Sequence, residues 1–336
     1  MRGLAAVAVV LRHFGQQFQE WEPALSYLSV DLFFALSGFV LSANYDQKLS
    51  SVMSPWSFLR LRGIRLFPLS ALGAAFGLIA AMAISSDFTA NRYIGAILSG
   101  FAIPWPLTGS RLLFPTNTAF WTLFFELWIA NLSFAFLWRF LKNWILYALI
   151  ACSGLALVIC ERHFHYLDIG WQWDQFGGGL ARLLFSFYAG VAIHRIHLKW
   201  PSPIRVPAPV ILVILTAVLF APLPGRLLQA GSLIAALGIL PILLYFSAAA
   251  EDPHIKFSAF LGDVSYALYT IHIPLIILFA WVLRECGVTH LGGLSFFIVE
   301  VAFVPSVIIL AALIDIIYDR PVRRWLAGHL PLRVKP

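Results

Sequence analysis

The sequence predicts an all-α, polytopic bundle that crosses a membrane about ten times. Of its 336 residues, 60% are hydrophobic and only 12% are charged, whereas a soluble domain carries about 25% charged residues. Mean hydropathy is +0.84. Apolar runs of about twenty residues recur along the chain, the length that crosses the hydrocarbon of a bilayer. Lysines and arginines cluster between these runs. The net charge of +7 therefore orients the chain in a membrane and does not point to nucleic acid.

The first run, 2–18, begins like a secretory signal but has no A-x-A-like cleavage site, and Arg12–His13 interrupts its end. It reads as a retained first span. Further spans are expected at 27–43, 65–85, 119–138, 143–160, 178–195, 207–222, 229–248, 264–283 and 294–318. Trp56–Arg65 sets Phe58, Leu59, Leu61 and Ile64 among three arginines, the pattern of a helix lying at the membrane surface. Segment 92–106 is a candidate eleventh span. Its short run closes on Pro104-Trp105-Pro106, which favours an interfacial or re-entrant piece. With that segment not crossing and the N-terminus inside, fifteen lysines and arginines fall in inside loops and five in outside loops. Counting it as a span moves Arg139, Lys142, Arg195, Lys199 and Arg205 outside. The expected topology is ten spans in one membrane-embedded domain over 1–336, with both termini cytoplasmic.

Two large outside segments follow from that topology, 86–118 and 161–177. The second mixes aromatic, carboxylate and amide side chains. It reads either as a surface that stacks on and hydrogen-bonds a sugar or as an interfacial aromatic belt. The three cysteines, Cys152, Cys160 and Cys286, are odd in number and form no CxxC pair. No disulfide framework is indicated. No metal site is expected either, because the spacings of His163, His165, His194 and His197 do not make one.

Ionisable groups inside apolar runs are costly and point to function. Arg2 and His13 are eleven residues apart, so they share one helix face about 16 Å apart along the axis. In the second span Asp31, Ala35, Gly38 and Ser42 form a polar and small-residue stripe. Helix packing is the alternative reading for Gly38 and Ser42, and a position in water at the outer end is the alternative for Asp31. Glu126, aligned with Thr122 and Ser133 and near Trp121, needs a partner, a proton or water. Ser265, Tyr269 and His272 share a face before Pro274; a core histidine satisfied by a hydroxyl is the alternative for His272. No phosphate loop, nucleophile elbow or internal repeat is present.

Taken in order, these pieces resemble acyltransferase family 3, the bacterial membrane O-acyltransferases. Arg2 through His13 resembles that family's Arg-x10-His first helix. Val30-Asp31-Leu32-Phe33-Phe34-Ala35-Leu36-Ser37-Gly38-Phe39-Val40-Leu41 is similar to its second-helix motif and is the most specific match. Arg62-Gly63-Ile64-Arg65 before Pro68 resembles its Arg-x-x-Arg segment. Trp121-Thr122-Leu123 with Glu126 resembles Trp-Ser-Leu-x-x-Glu. Ser265-Tyr266 through Tyr269 and His272 resembles Ser-Tyr-x-x-Tyr-x-x-His, and Asp319-Arg320-Pro321 stands where many members have Glu-x-Pro. Two departures are the single residue before Arg2 and Arg12 at a position usually apolar or aromatic.

The resemblance implies transfer of an acyl group, often acetyl, from acyl-coenzyme A as donor substrate, with no tightly bound cofactor. The acceptor is a hydroxyl of a carbohydrate or other envelope molecule. On this reading Arg2, Arg62 and Arg65 hold the donor's phosphates, and His13 is the general base. Glu126 orients or charge-balances that base, with Asp31, Ser37, Gly38, Trp121, Tyr269 and His272 in support. An acyl-histidine intermediate is the less favoured route. The implied partners are acyl-CoA, the hydroxylated acceptor and membrane lipid, in a bacterial inner membrane; no oligomeric state is implied. The rival class is a proton-coupled transporter or flippase, which the same buried ionisable groups would serve. Inverted repeats and broken helices, its usual signs, are not evident.

Overall fold

The computed structural model describes residues 1–85, 89–107, 109–250 and 256–329, without the side chains of Arg139, Phe257 and Ser258. Arg333 and Lys335 of the charge count, and part of segment 86–118, lie outside the described residues. Among the described residues the secondary structure is helical, with no strand. α1 is Arg2–Phe18, α2 Ser29–Ser51, α3 Pro55–Ile84 and α4 Ala90–Gly100. α5 is Phe120–Leu137, α6 Asn143–Phe164, α7 Phe176–Lys199 and α8 Ala208–Leu219. α9 is Gly225–Ser247, α10 Lys256–Glu285 and α11 Gly293–His329. Among the described residues, eight helices are long and apolar enough to cross a membrane.

α1 and α8 are shorter, at 17 and 12 residues. α8 spans only about 18 Å, less than the expected run 207–222. It still passes between the two faces of the bundle. Its last carbonyl, Leu219, accepts from Leu25 N–H just beyond the Phe18 end of α1. The start of its connection, the Trp200 carbonyl, accepts from Tyr245 near the opposite end of α9.

Segment 92–106 is re-entrant. α4, about 16 Å long, descends until Gly100 meets Ala71 and Ala74 of α3 and the Ser99 carbonyl accepts from Ser70. The chain then turns back. Trp105 Nε1 donates to Asn91 at the top of α4 at 2.7 Å, and Leu113 N–H donates to the Trp171 carbonyl at 3.0 Å. Such non-helical backbone is tolerated at depth because protein covers it.

Trp56–Arg65 is not a separate surface helix. Ser54 caps α3 by accepting from Ser57 N–H at 3.1 Å, and Pro55 occupies the first turn. A capped start with proline there propagates directly into the apolar run, so the surface stretch and the span are one 30-residue helix.

α1 packs against α2, α8, α10 and α11. Its approach to α10 depends on Gly3, where a Cβ would overlap Leu261. α2 and α7 cross more closely still: a Cβ on Gly38 would collide with the Phe187 carbonyl, and one on Gly190 with the Ala35 carbonyl. Small residues let membrane helices approach at backbone distance. Gly38→Ala is therefore expected to destabilise the bundle by about 1–3 kcal/mol, read as a lower melting temperature of the detergent-purified chain. An unchanged melting temperature would contradict this packing.

Candidate active site

At the Arg2 end, α1, α2, α3, α5 and α10 enclose a cavity of about 270 Å³ lined by Arg2, Ser37, Arg62, Arg65, Glu126 and Tyr266, among others. Glu126 sits where α5 widens into a π-turn over Phe125–Ala130, a distortion common at functional sites. Its Oε1 accepts from Ser37 Oγ at 2.7 Å and from Arg62 Nη2 at 3.0 Å. Arg62 Nε also donates to Asn131 Oδ1 at 3.3 Å. Arg62 is thereby neutralised, whereas Arg2 and Arg65 have no carboxylate at ion-pair distance among the described residues. Three guanidiniums against the single carboxylate of Glu126 leave this hollow net positive, which suits an anion.

Three further cavities follow, each sharing walls with the one before. Arg2, Glu126 and Tyr266 also line a narrow space of about 40 Å³, with Val30 and Tyr269 on its other side. Val30 and Tyr269 then line a chamber of about 160 Å³ with Arg12, His13, Trp121 and Asp168. His13, Gln16 and Thr118 pass from that chamber into a space of about 240 Å³ bounded by Pro115, Thr116 and Ile273. The row runs from the Arg2 face to the His13 end of α1, past the constriction at Tyr269. The Tyr269 hydroxyl donates to the Ala119 carbonyl at 3.2 Å and accepts from Thr122 Oγ1 at 2.8 Å.

His13 Nδ1 lies 3.1 Å from Gln16 Oε1. With Nδ1–H donating to that oxygen, the lone pair is on Nε2. The His272 ring packs 5.2 Å from the His13 ring, centroid to centroid. His272 Nδ1–H donates to the Tyr269 carbonyl at 2.8 Å.

The outer wall of the His13 chamber is built from charge. Arg12 pairs with Asp168 at 3.0 Å and with Glu22 at 3.5 Å, and its guanidinium lies 5.2 Å from the Tyr27 ring centre. Burial raises the Glu22 carboxyl above its usual range and nearby Asp168 adds to the shift, while Arg12 opposes both. Trp171, from the aromatic segment 161–177, also faces the chamber. Trp173 N–H donates to the Arg111 carbonyl at 2.9 Å, so the two outer segments are stitched together above His13.

Of the residues singled out from the sequence, the structure brings Arg2, Ser37, Arg62, Arg65 and Glu126 into one cavity, and His13, Trp121 and Tyr269 into another. Three assignments change. Asp31 does not face water: it is 2% exposed and receives Arg182 Nη2 at 2.6 Å. Arg182 also donates to the carbonyls of Ile169 and Tyr27. A carboxylate at this depth is retained because a buried guanidinium answers it. Gly38 lies on the α2–α7 seam and lines none of the four cavities. Glu126 lines the cavities of Arg2 and neither of those that His13 lines.

Arg12, Gln16, Asp168 and Arg182 were missed. Arg12 and Arg182 left a readable signal, since each is a guanidinium inside an apolar run that demands a buried acid. Asp168 left none, because its partner is 156 residues away.

The family model described as an acyltransferase domain, of acyltransferase family 3, matches residues 1–316. Over 76 residues the chain is 51% identical to "Protein 2 in picA locus" of Rhizobium radiobacter, covering 22% of this chain and 39% of that protein. The chain thus spans about two fifths of the length of the curated relative it matches. No solved structure matches. Arg2, His13, Glu126 and His272 stand on the motifs quoted above, within a match that runs through ten of the eleven helices and most of the last: the chain belongs to acyltransferase family 3.

Proposed function

We propose that this chain is an integral-membrane O-acyltransferase. It moves an acyl group, acetyl in the simplest case, from acyl-CoA to a hydroxyl of a carbohydrate or envelope glycan. The observation that carries this reading is the row of four cavities with shared walls, with Arg2 and Arg65 at one end and a histidine lone pair at the other. The Arg2 face is cytoplasmic, in a bacterial inner membrane with both termini inside. There Arg2 and Arg65 bind the donor's phosphates. The pantetheine arm threads past Tyr269, and its extended reach matches the roughly 16 Å of helix between Arg2 and His13.

In the His13 chamber the acceptor hydroxyl gives its proton to Nε2 as its oxygen attacks the thioester carbon. The new C–O bond forms, the C–S bond breaks, and the proton leaves His13 for the departing thiolate. Gln16 fixes the tautomer. Trp121, Trp171 and Asp168 offer stacking faces and a hydrogen-bond acceptor to a sugar ring. Ser37 and Arg62 hold Glu126 at the donor end, where its charge balances the arginine cluster.

Arg2→Ala tests the donor site. Losing one charge-assisted contact of about 1.5–3 kcal/mol is expected to weaken acetyl-CoA binding roughly 10–100-fold, as read by calorimetric titration of the purified chain. An unchanged affinity would remove Arg2 from the donor site.

A further inference from the structure

The reaction proposed above leaves one charge unattended. When the acceptor oxygen attacks the thioester carbon, an electron pair moves onto the carbonyl oxygen. That oxyanion needs a fixed hydrogen-bond donor, and the donor must stand near His13, where the new C–O bond forms.

The donors around the imidazole can be taken in turn. Arg12 is paired with Asp168 and Glu22. Gln16 is engaged by His13 Nδ1 and by the Glu22 carboxylate. The Tyr269 hydroxyl donates to the Ala119 carbonyl, and the Trp171 indole N–H donates to the Asp168 carbonyl at 3.2 Å. The Thr118 hydroxyl differs: it has no hydrogen-bond partner among the described residues. Thr118 also lines both cavities that His13 lines, whereas Trp121 lines only the first.

The backbone on either side of Thr118 is pinned. Asn117, 1% exposed, donates through Nδ2 to the Thr270 carbonyl at 2.8 Å. The Ala119 carbonyl receives the Tyr269 hydroxyl, which ties the start of α5 to α10. Thr118 itself accepts from Trp121 N–H through its carbonyl at 3.4 Å. A free hydroxyl on so constrained a segment is ready for a charge that exists only during the reaction.

We propose that Thr118 is a catalytic residue: its Oγ1–H donates a hydrogen bond to the thioester carbonyl oxygen as that oxygen becomes negative. Thr118 keeps its proton throughout. The electron pair then returns to re-form the C=O bond as the C–S bond breaks, and the thiolate takes the proton held by His13. The inference rests on the transfer reading.

The test uses full-length variants in membrane vesicles, endogenous acceptor included, and follows labelled acetyl from acetyl-CoA. Thr118→Val keeps the branched shape and removes the O–H. It is expected to lower kcat about 100-fold. Apparent KM for acetyl-CoA should stay within about twofold of wild type, because the lost bond belongs to the transition state. Thr118→Ser restores the O–H and should retain at least about a third of wild-type kcat. The melting temperature of purified Thr118→Val should not fall, since the hydroxyl it loses has no partner in the folded chain. Thr118→Ala replaces Val if that variant does not fold. Wild-type kcat in the variant without the hydroxyl, or Ser as impaired as Val, overturns the proposal; in the first case Trp121→Phe then shows whether the indole N–H holds the role instead. Wild-type vesicles that transfer no label, or full activity in His13→Ala, would remove the transfer reading itself, and this proposal with it.

Discussion

His13→Ala is expected to lower acyl transfer by about three orders of magnitude while the protein still folds. A positioned general base contributes roughly 10²–10⁴-fold, and no other group in the chamber is placed to substitute. Asp168 is engaged by Arg12, and the Tyr269 hydroxyl is engaged by Thr122 and Ala119. Folding should survive because the His13 side chain borders cavities on two sides, so its loss enlarges a space and leaves no buried charge unpaired. The measurement is labelled acetyl transfer in vesicles, with acetyl-CoA affinity determined on the same preparation. Wild-type rates in the variant would end the assignment of His13. Lost rates with lost donor affinity would move His13 from the chemistry to donor binding.

The second large effect concerns stability. Arg182→Met is expected to destabilise the folded chain by about 3–5 kcal/mol, the usual cost of leaving one member of a buried ion pair without its partner. Here the orphan is Asp31, and the Ile169 and Tyr27 carbonyls lose their donors as well. Ile169 follows Asp168 directly, so the segment that carries the Arg12 partner loses its anchor to α7. The readout is the monodisperse fraction and melting temperature of purified protein. Asp31→Asn combined with Arg182→Met should be less damaging than the sum of the singles, because the second change removes the charge that the first strands. A single variant as stable as wild type would show that the pair carries no stability.

Helix positions were largely readable because hydrophobic length is a local property of the chain. Errors arose where length and local pattern were insufficient. The Trp56–Arg65 stretch looked amphipathic, but Ser54 and Pro55 start one helix that continues through it. The run at 207–222 was apolar enough for a full span, yet only 12 residues became helix. The tryptophan and prolines of 104–106 correctly marked a segment that does not cross. Its depth is set by packing of Gly100 on α3.

Chemistry was readable in part. Arg2 and His13 were linked by helical periodicity alone, since eleven residues return to nearly the same face. Glu126 drew attention because a carboxylate in an aromatic run needs an explanation. Its distance from His13 was not readable, because spacing along one helix says nothing about depth relative to another. The α5 register places Glu126 with Ser37 and Arg62, in the Arg2 cavity.

By itself, then, the sequence determined the class of fold, the alignment of guanidinium and imidazole along the first helix, and the motifs that mark the family. These follow from composition and from periodicity within single helices. The tertiary structure alone decided that Asp31 is answered by Arg182, that Asp168 closes the His13 chamber through Arg12, and that Thr118 lines both cavities at His13. Each of those depends on which helix faces meet, and such meetings are fixed by long-range packing that no local pattern encodes.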